Sequence, residues 1–190
     1  MKIKLTIILA IAVSVVISGC GSNANDGNTV QGNKSASSNM NMEHSEMNHS
    51  GSGEIPQGLE EAANPKFEVG SEAMITEDHM PGMKGAAATI VGAYDTTVYA
   101  VTYTPTNGGD PVKNHKWVIH EELKEPADQP YEPGSEVILD ADHMDGMKGA
   151  KATIDSAEHT TIYMVDYIST TNGEQVKNHQ WVTESELTKL

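Results

Sequence analysis

The chain has 190 residues, 12 basic and 27 acidic side chains, and a formal charge of −15. All twelve cations are lysine, so the clustered positive charge and bidentate arginine donors that hold phosphates are missing, which all but excludes nucleic acid as a partner. The single cysteine, Cys20, excludes an internal disulfide and any CxxC redox or zinc motif, and ten methionines beside one phenylalanine are an unusual bias.

Residues 1–19 read as a secretory signal. Lys2 and Lys4 form a short positive region, and an apolar run from Leu5 to Ile17 follows, too short for a comfortable transmembrane helix. Ile17-Ser18-Gly19-Cys20 resembles the bacterial lipobox, in which the cysteine receives a diacylglycerol and becomes the new N-terminus. The resemblance implies a mature protein that starts at Cys20 and is held by lipid on the outer face of the cell membrane.

Residues 20–64 follow as a tether. From Gly21 to Gly53 the composition is Asn, Ser, Gly and other short polar residues, which cannot bury enough surface to offset backbone ordering, so disorder is expected. Within it, Met40, Met42, His44, Met47 and His49 fall in ten residues. Two readings are open: compositional accident in a low-complexity tail, or a soft-metal capture segment, since thioether and imidazole suit copper, particularly Cu(I).

The remainder is one unit written twice. Residues 70–123 align with 134–187 at a constant offset of 64, without a gap and with about 30 of 54 positions identical. Residues 65–125 and 126–190 are therefore expected to form two small domains, with Pro126, Pro130 and Pro133 in the linker. Each copy reads as five short strands. A first strand follows Gly70 or Gly134, and a glycine-containing loop leads to the second, in which Ala86, Ala88 and Ile90 face inward. Thr96-Thr97 or Thr160-Thr161 follows a turn, and Tyr99, Val101 and Tyr103, or Tyr163, Val165 and Tyr167, then alternate on one face. A last strand carries His115 and Trp117, or His179 and Trp181, and Glu122-Leu123 or Glu186-Leu187 closes the unit. Strand closure protects edges that so short a sheet would expose, so the expected fold is all-β: two tandem small barrels of SH3-like or KOW-like type, with one β-sandwich shared by both copies as the alternative.

The clearest chemistry lies in Asp78-His79-Met80-Pro81-Gly82-Met83-Lys84-Gly85, repeated as Asp142-His143-Met144-Asp145-Gly146-Met147-Lys148-Gly149. A histidine and two methionines on a glycine-containing loop can turn toward one point. Thioether with imidazole selects copper over magnesium, calcium or manganese, and zinc gains nothing from thioether. Alternatively, the methionines plug the open end of each barrel as adaptable apolar filler. Strand alternation places His115 and Trp117 on one face, from which His115 could complete the loop site with Trp117 screening it; a core tryptophan beside a hydrogen-bonded histidine is the plainer reading. His179 and Trp181 repeat the pair. His120 and His159 lack a histidine counterpart and are expected at the surface, as are single Asp and Glu residues, which read as a solvated face. No nucleophile–base–orienter set or phosphate-cradling loop stands out, so no enzyme is expected.

The doubled DHMxGMKGAxATI, the TTxYxVxY strand and the VKNHxWV segment resemble a family of Gram-positive lipoproteins that includes the YdhK-type proteins of bacilli and the CopL-type lipoproteins of staphylococcal copper-resistance operons. The resemblance covers the lipobox, the tether and both repeats. It implies two tandem β domains and, for CopL-type members, binding of several Cu(I) ions outside the membrane. Carried onto this chain, the motif positions are His79, Met80, Met83 and His115, then His143, Met144, Met147 and His179. The expected function is an extracellular, membrane-anchored buffer or sequestering protein for Cu(I) in copper resistance, passing the ion to an exporter or a multicopper oxidase. The competing readings are a cell-envelope interaction module, with Tyr99, Tyr103 and Trp117 lining a groove for peptidoglycan or a membrane-protein partner, and a structural spacer.

Overall fold

The computed structural model describes residues 50–190. The signal segment, Cys20 and the tether residues Met40, Met42, His44, Met47 and His49 lie outside the described residues. The elements are β1 (Glu60–Glu61), β2 (Glu72–Ile75), β3 (Ala87–Tyr103), β4 (Val112–Ile119), β5 (Glu136–Ile138), β6 (Lys151–Ile168), β7 (Gln175–Thr183) and β8 (Leu187–Thr188), with single 3₁₀ turns at His120–Glu122 and Glu184–Glu186. The fold is all-β and contains the two copies, as the sequence predicts.

The turn expected before Thr96-Thr97 and before Thr160-Thr161 is absent. The second and third predicted strands of each copy run together into one long strand, β3 or β6. β-Branched threonines favour extended backbone, and a partner ladder satisfies the backbone throughout. That partner is the other copy: β3 and β6 pair antiparallel from Ala88↔Tyr167 to Tyr103↔Ala152, with Thr96 opposite Thr160. Bulges interrupt the ladder at equivalent places, Val91 in β3 and Asp155 in β6, which bend each long strand. Tyr94 lies just beyond the first bulge. A Cβ on Gly92 would meet its ring at 2.7 Å, so the absent side chain makes room for the tyrosine.

This pairing decides how the protein packs. One core joins Ala73, Ile75, Met83, Ala86, Ala88 and Ile90 of copy one to Tyr163, Val165, Tyr167, Val176, Val182 and Leu187 of copy two. The other joins Tyr99, Val101, Tyr103, Val118 and Leu123 of copy one to Val137, Leu139, Met147, Ala150, Ala152 and Ile154 of copy two. Each lobe thus combines the first half of one copy with the second half of the other. The closing strands exchange too: β2 pairs with β8 through Ile75↔Leu187, and Leu123 bridges Leu139. No copy closes into its own barrel. The sheet runs β5-β6-β3-β2-β8, with β1 and β4 on β3 and β7 on β6. A third cluster, with Tyr94, Val98, Ala100 and Trp117 of copy one and Ile162, Met164 and Trp181 of copy two, lies where the long strands cross the middle.

The end of the predicted tether is ordered. Gly51 N–H donates to the Lys177 carbonyl at 2.9 Å, Lys177 N–H to Ser50 Oγ at 3.0 Å, and Gln180 Nε2 to the Glu54 carbonyl at 3.0 Å, so residues 50–54 lie along β7. β1 then pairs with β3 through Glu60↔Asp95 and Glu61↔Tyr94.

Candidate functional site

The His–Met loops are built from successive tight turns. Met83 N–H donates to the Met80 carbonyl and Ala86 N–H to the Met83 carbonyl; Met147 with Met144, and Ala150 with Met147, repeat the pattern. Gly82 and Gly146 adopt φ of 89° and 77°, a region that glycine enters without penalty. Each loop is pinned by the other copy: Thr170 donates from N–H and Oγ1 to the Gly82 carbonyl at 3.0 and 3.2 Å, and Thr106 does the same to Gly146 at 2.8 and 3.1 Å.

These turns separate the methionines. Met83 and Met147 are fully buried, one in each of the two cores. Met80 and Met144 are half-buried and line a broad cleft together with His79, His115, His143 and His179. Ser50, Gly51, Ser52 and Glu54, and Lys113 to Lys116, also contribute to its wall.

Bulges correct the alternation expected for β4. Val118 faces Tyr99 and His115 faces Val101, so three steps along β4 match two along β3. His115 therefore stays on the Val118 side, whereas Trp117 turns to the central cluster. A further register shift sets His115 apart from Val112, with Asn114 at φ 50° between them; Asn178 repeats that conformation. His115 stacks edge-on against Tyr103, ring centroids 6.1 Å apart, and lies 6.1 Å from the His143 ring. The Tyr103 hydroxyl donates to Met144 Sδ at 3.9 Å. His115, Tyr103, His143 and Met144 thus form one group drawn from both copies. In the other lobe, His179 stacks edge-on against Tyr167 at 5.8 Å, and His79 and Met80 occupy the positions equivalent to His143 and Met144.

Beneath each loop histidine lies a buried carboxylate that sequence reasoning placed on the solvated face. His79 Nε2 donates to Glu186 Oε1 at 2.7 Å. Glu186 Oε2 accepts from the Trp117 indole at 2.9 Å and from Thr183 N–H at 2.9 Å. Equivalently, His143 Nε2 donates to Glu122 Oε1 at 2.8 Å, Trp181 donates to the same oxygen at 3.1 Å, and Ile119 N–H donates to Oε2 at 3.1 Å. The imidazole and indole come from the copy that does not supply the glutamate. The repeated Glu-Leu at the end of each copy was the only sequence sign of these residues.

The carboxylates leave a pattern in the imidazoles. His79 Nδ1, His143 Nδ1 and His115 Nε2 are buried without a hydrogen-bond partner. Such atoms are rare and call for an explanation. Burial, then the neighbouring His143 and His79, lower the His115 pKa to about 4, so its ring is neutral at ordinary pH. For His143, burial disfavours the charged form, but the Glu122 carboxylate and Asp142 outweigh it and raise the pKa. Burial likewise works against the Glu186 anion, but the hydrogen bonds from His79, Thr183 and Trp117 win and hold its carboxyl below the usual range.

Among the described residues, no three His, Cys, Asp or Glu side chains converge closely enough to hold a metal ion. The donors that face the cleft are mixed, imidazole nitrogen with thioether sulfur, a set that suits a soft cation. His120 is tied to the Tyr99 hydroxyl and the Ala127 carbonyl at 2.8 Å each, and His159 is exposed. Tyr99, Tyr103 and Trp117 are buried in the cores and form no open groove.

Comparisons with known proteins bear on the fold and its duplication. The family model "Protein of unknown function (DUF1541)" matches twice, at residues 69–120 and 133–184. The uncharacterized protein YdhK of Bacillus subtilis is 58% identical over 180 residues, which cover 95% of this chain and 86% of YdhK. A crystal structure of a DUF1541 family protein, ydhK from the same organism, superimposes with a TM-score of 0.75 at 63% identity, covering 77% of this chain and 100% of that one. The solution NMR structure of the ydhK C-terminal domain gives 0.63 at 64% identity, over 65% of this chain and 93% of that one. The chain belongs to the DUF1541 family and carries its repeat in two copies.

Proposed function

We propose that this protein binds Cu(I) outside the cell, as a lipid-anchored lipoprotein that buffers or sequesters the ion and passes it to an exporter or a multicopper oxidase. One observation carries the reading. Three imidazole nitrogens, on His79, His115 and His143, are buried without a partner beside a cleft that Met80 and Met144 also line. A soft monovalent cation would satisfy those nitrogens with thioether as co-ligand, and neither donor has to lose a proton when the imidazoles are neutral. His143, Met144 and His115 would hold one ion, and His79, Met80 and His179 their equivalents. The proposal is of a binding protein, with no catalysis assigned.

The address rests on the sequence. Lys2, Lys4, the apolar run and Cys20 support export and lipidation. Membrane retention of a Cys20→Ala variant would refute the anchor. A Cu(I) competition titration of the protein from Cys20 onward tests the function. More than one tightly bound equivalent is expected, with at least one lost when His79, Met80, His143 and Met144 are all replaced by alanine. Absence of Cu(I) binding, or binding unchanged by those replacements, would refute it.

A further inference from the structure

We infer that Glu122 and Glu186 are positioning residues: each fixes the proton of its loop histidine on Nε2 and so leaves Nδ1 unprotonated, with its lone pair available to a metal ion. The inference rests on the metal-binding reading for its purpose, but its geometry stands independently.

The buried carboxylates are acceptors only. A neutral imidazole that bonds to one must therefore carry its proton on the bonded nitrogen. For His79 that nitrogen is Nε2, at 2.7 Å from Glu186, and for His143 it is Nε2, at 2.8 Å from Glu122. The other nitrogen of each ring is then an unprotonated donor of electron density, and in both rings it is Nδ1 that lies buried with no partner. The carboxylates are themselves held in place. Glu186 is 4% exposed and Glu122 7%, and each takes an indole N–H and a backbone N–H in addition to the imidazole. Metal-ligating histidines commonly direct their second nitrogen to such an anchored acceptor, which sets ring orientation and tautomer. The same arrangement occurs twice here, each time with the glutamate from one copy and the histidine and tryptophan from the other.

Glu186 offers the sharper test, because its two oxygens have separate duties. Oε2 serves Trp117 and Thr183, and Oε1 serves His79. In Glu186→Gln, the amide oxygen takes the place that receives two donors, and the amide NH₂ then faces His79. Nε2 must become an acceptor, which moves the imidazole proton to Nδ1 and takes up the lone pair there. At Glu122 the imidazole and indole share one oxygen, so the same substitution is less clean.

The experiment is ¹⁵N NMR of the imidazoles in the metal-free protein, at a pH where both rings are neutral, followed by Cu(I) competition titration of the same samples. The expected result is protonated Nε2 on His79 and His143 in the wild type. In Glu186→Gln, the proton shifts to Nδ1 on His79 alone, with one Cu(I) equivalent bound at least tenfold more weakly. A wild-type His79 protonated on Nδ1 would overturn the inference, and this readout needs no variant to fold. A folded Glu186→Gln protein that keeps the proton on Nε2, or that shifts it and binds Cu(I) as before, would also overturn it. A wild type that carries the Nε2 proton but binds no Cu(I) would refute the proposed function and leave the tautomer assignment standing.

Discussion

Thr96 faces Thr160 across the paired long strands, and each is the other's counterpart in the duplicated sequence. A strand paired antiparallel with its own copy about an equivalent position has a local two-fold axis at that point. Everything beyond the axis is then exchanged: the first half of each copy packs with the second half of the other. The His–Met loop, its carboxylate and its tryptophan are brought together by that exchange.

Residues 65–125 alone should therefore not fold as a monomer. They lack both the partner ladder for β3 and the complementary half of each core. Two such chains can supply each other's missing halves, so a folded homodimer is expected. Light scattering with circular dichroism checks this; a folded monomer with a cooperative melt would contradict the exchange.

Trp117→Phe should destabilise the fold by about 1–3 kcal/mol, the scale of a hydrogen bond to a charged group plus the cost of leaving a buried carboxylate short of a donor. The ring would still fill the central cluster, but Glu186 would lose the indole N–H at 2.9 Å. Urea denaturation measures the change. Stability equal to wild type would mean that the bond contributes nothing net.

How far the sequence revealed this arrangement depends on range. The duplication, the strand-forming stretches and the doubled His–Met loop are local patterns and are legible. His79 and Glu186 are 107 positions apart, and nothing local connects them. The merger of two predicted strands was hidden because alternation says where strands form but not that one continues through Thr96-Thr97. His115 and Trp117 were placed on one face because alternation carries no sign of a bulge. Met80 and Met83 are chemically identical, and only the turn between them sends one to the cleft and the other to the core.

In the metal-free protein, His115 should titrate near pH 4 rather than near 6.5. Its folded value lies below its unfolded one, so its contribution to stability is present above pH 6.5 and is lost as pH falls toward 4. His143, whose pKa is raised, contributes with the opposite sign, so the imidazole signals report more cleanly than the melting temperature. Their titration by proton NMR should place the His115 midpoint near 4; a midpoint near 6.5 would mean that the ring is solvated and not buried beside His143.

The most direct test of the account is a crystal of the protein loaded with Cu(I), with anomalous scattering recorded at the copper edge. Copper is predicted in the cleft beside His143 Nδ1, His115 Nε2 and the Met144 sulfur, with a second position beside His79 and Met80 in the other lobe. A cleft without copper after loading, or copper confined to sites away from these side chains, would contradict it.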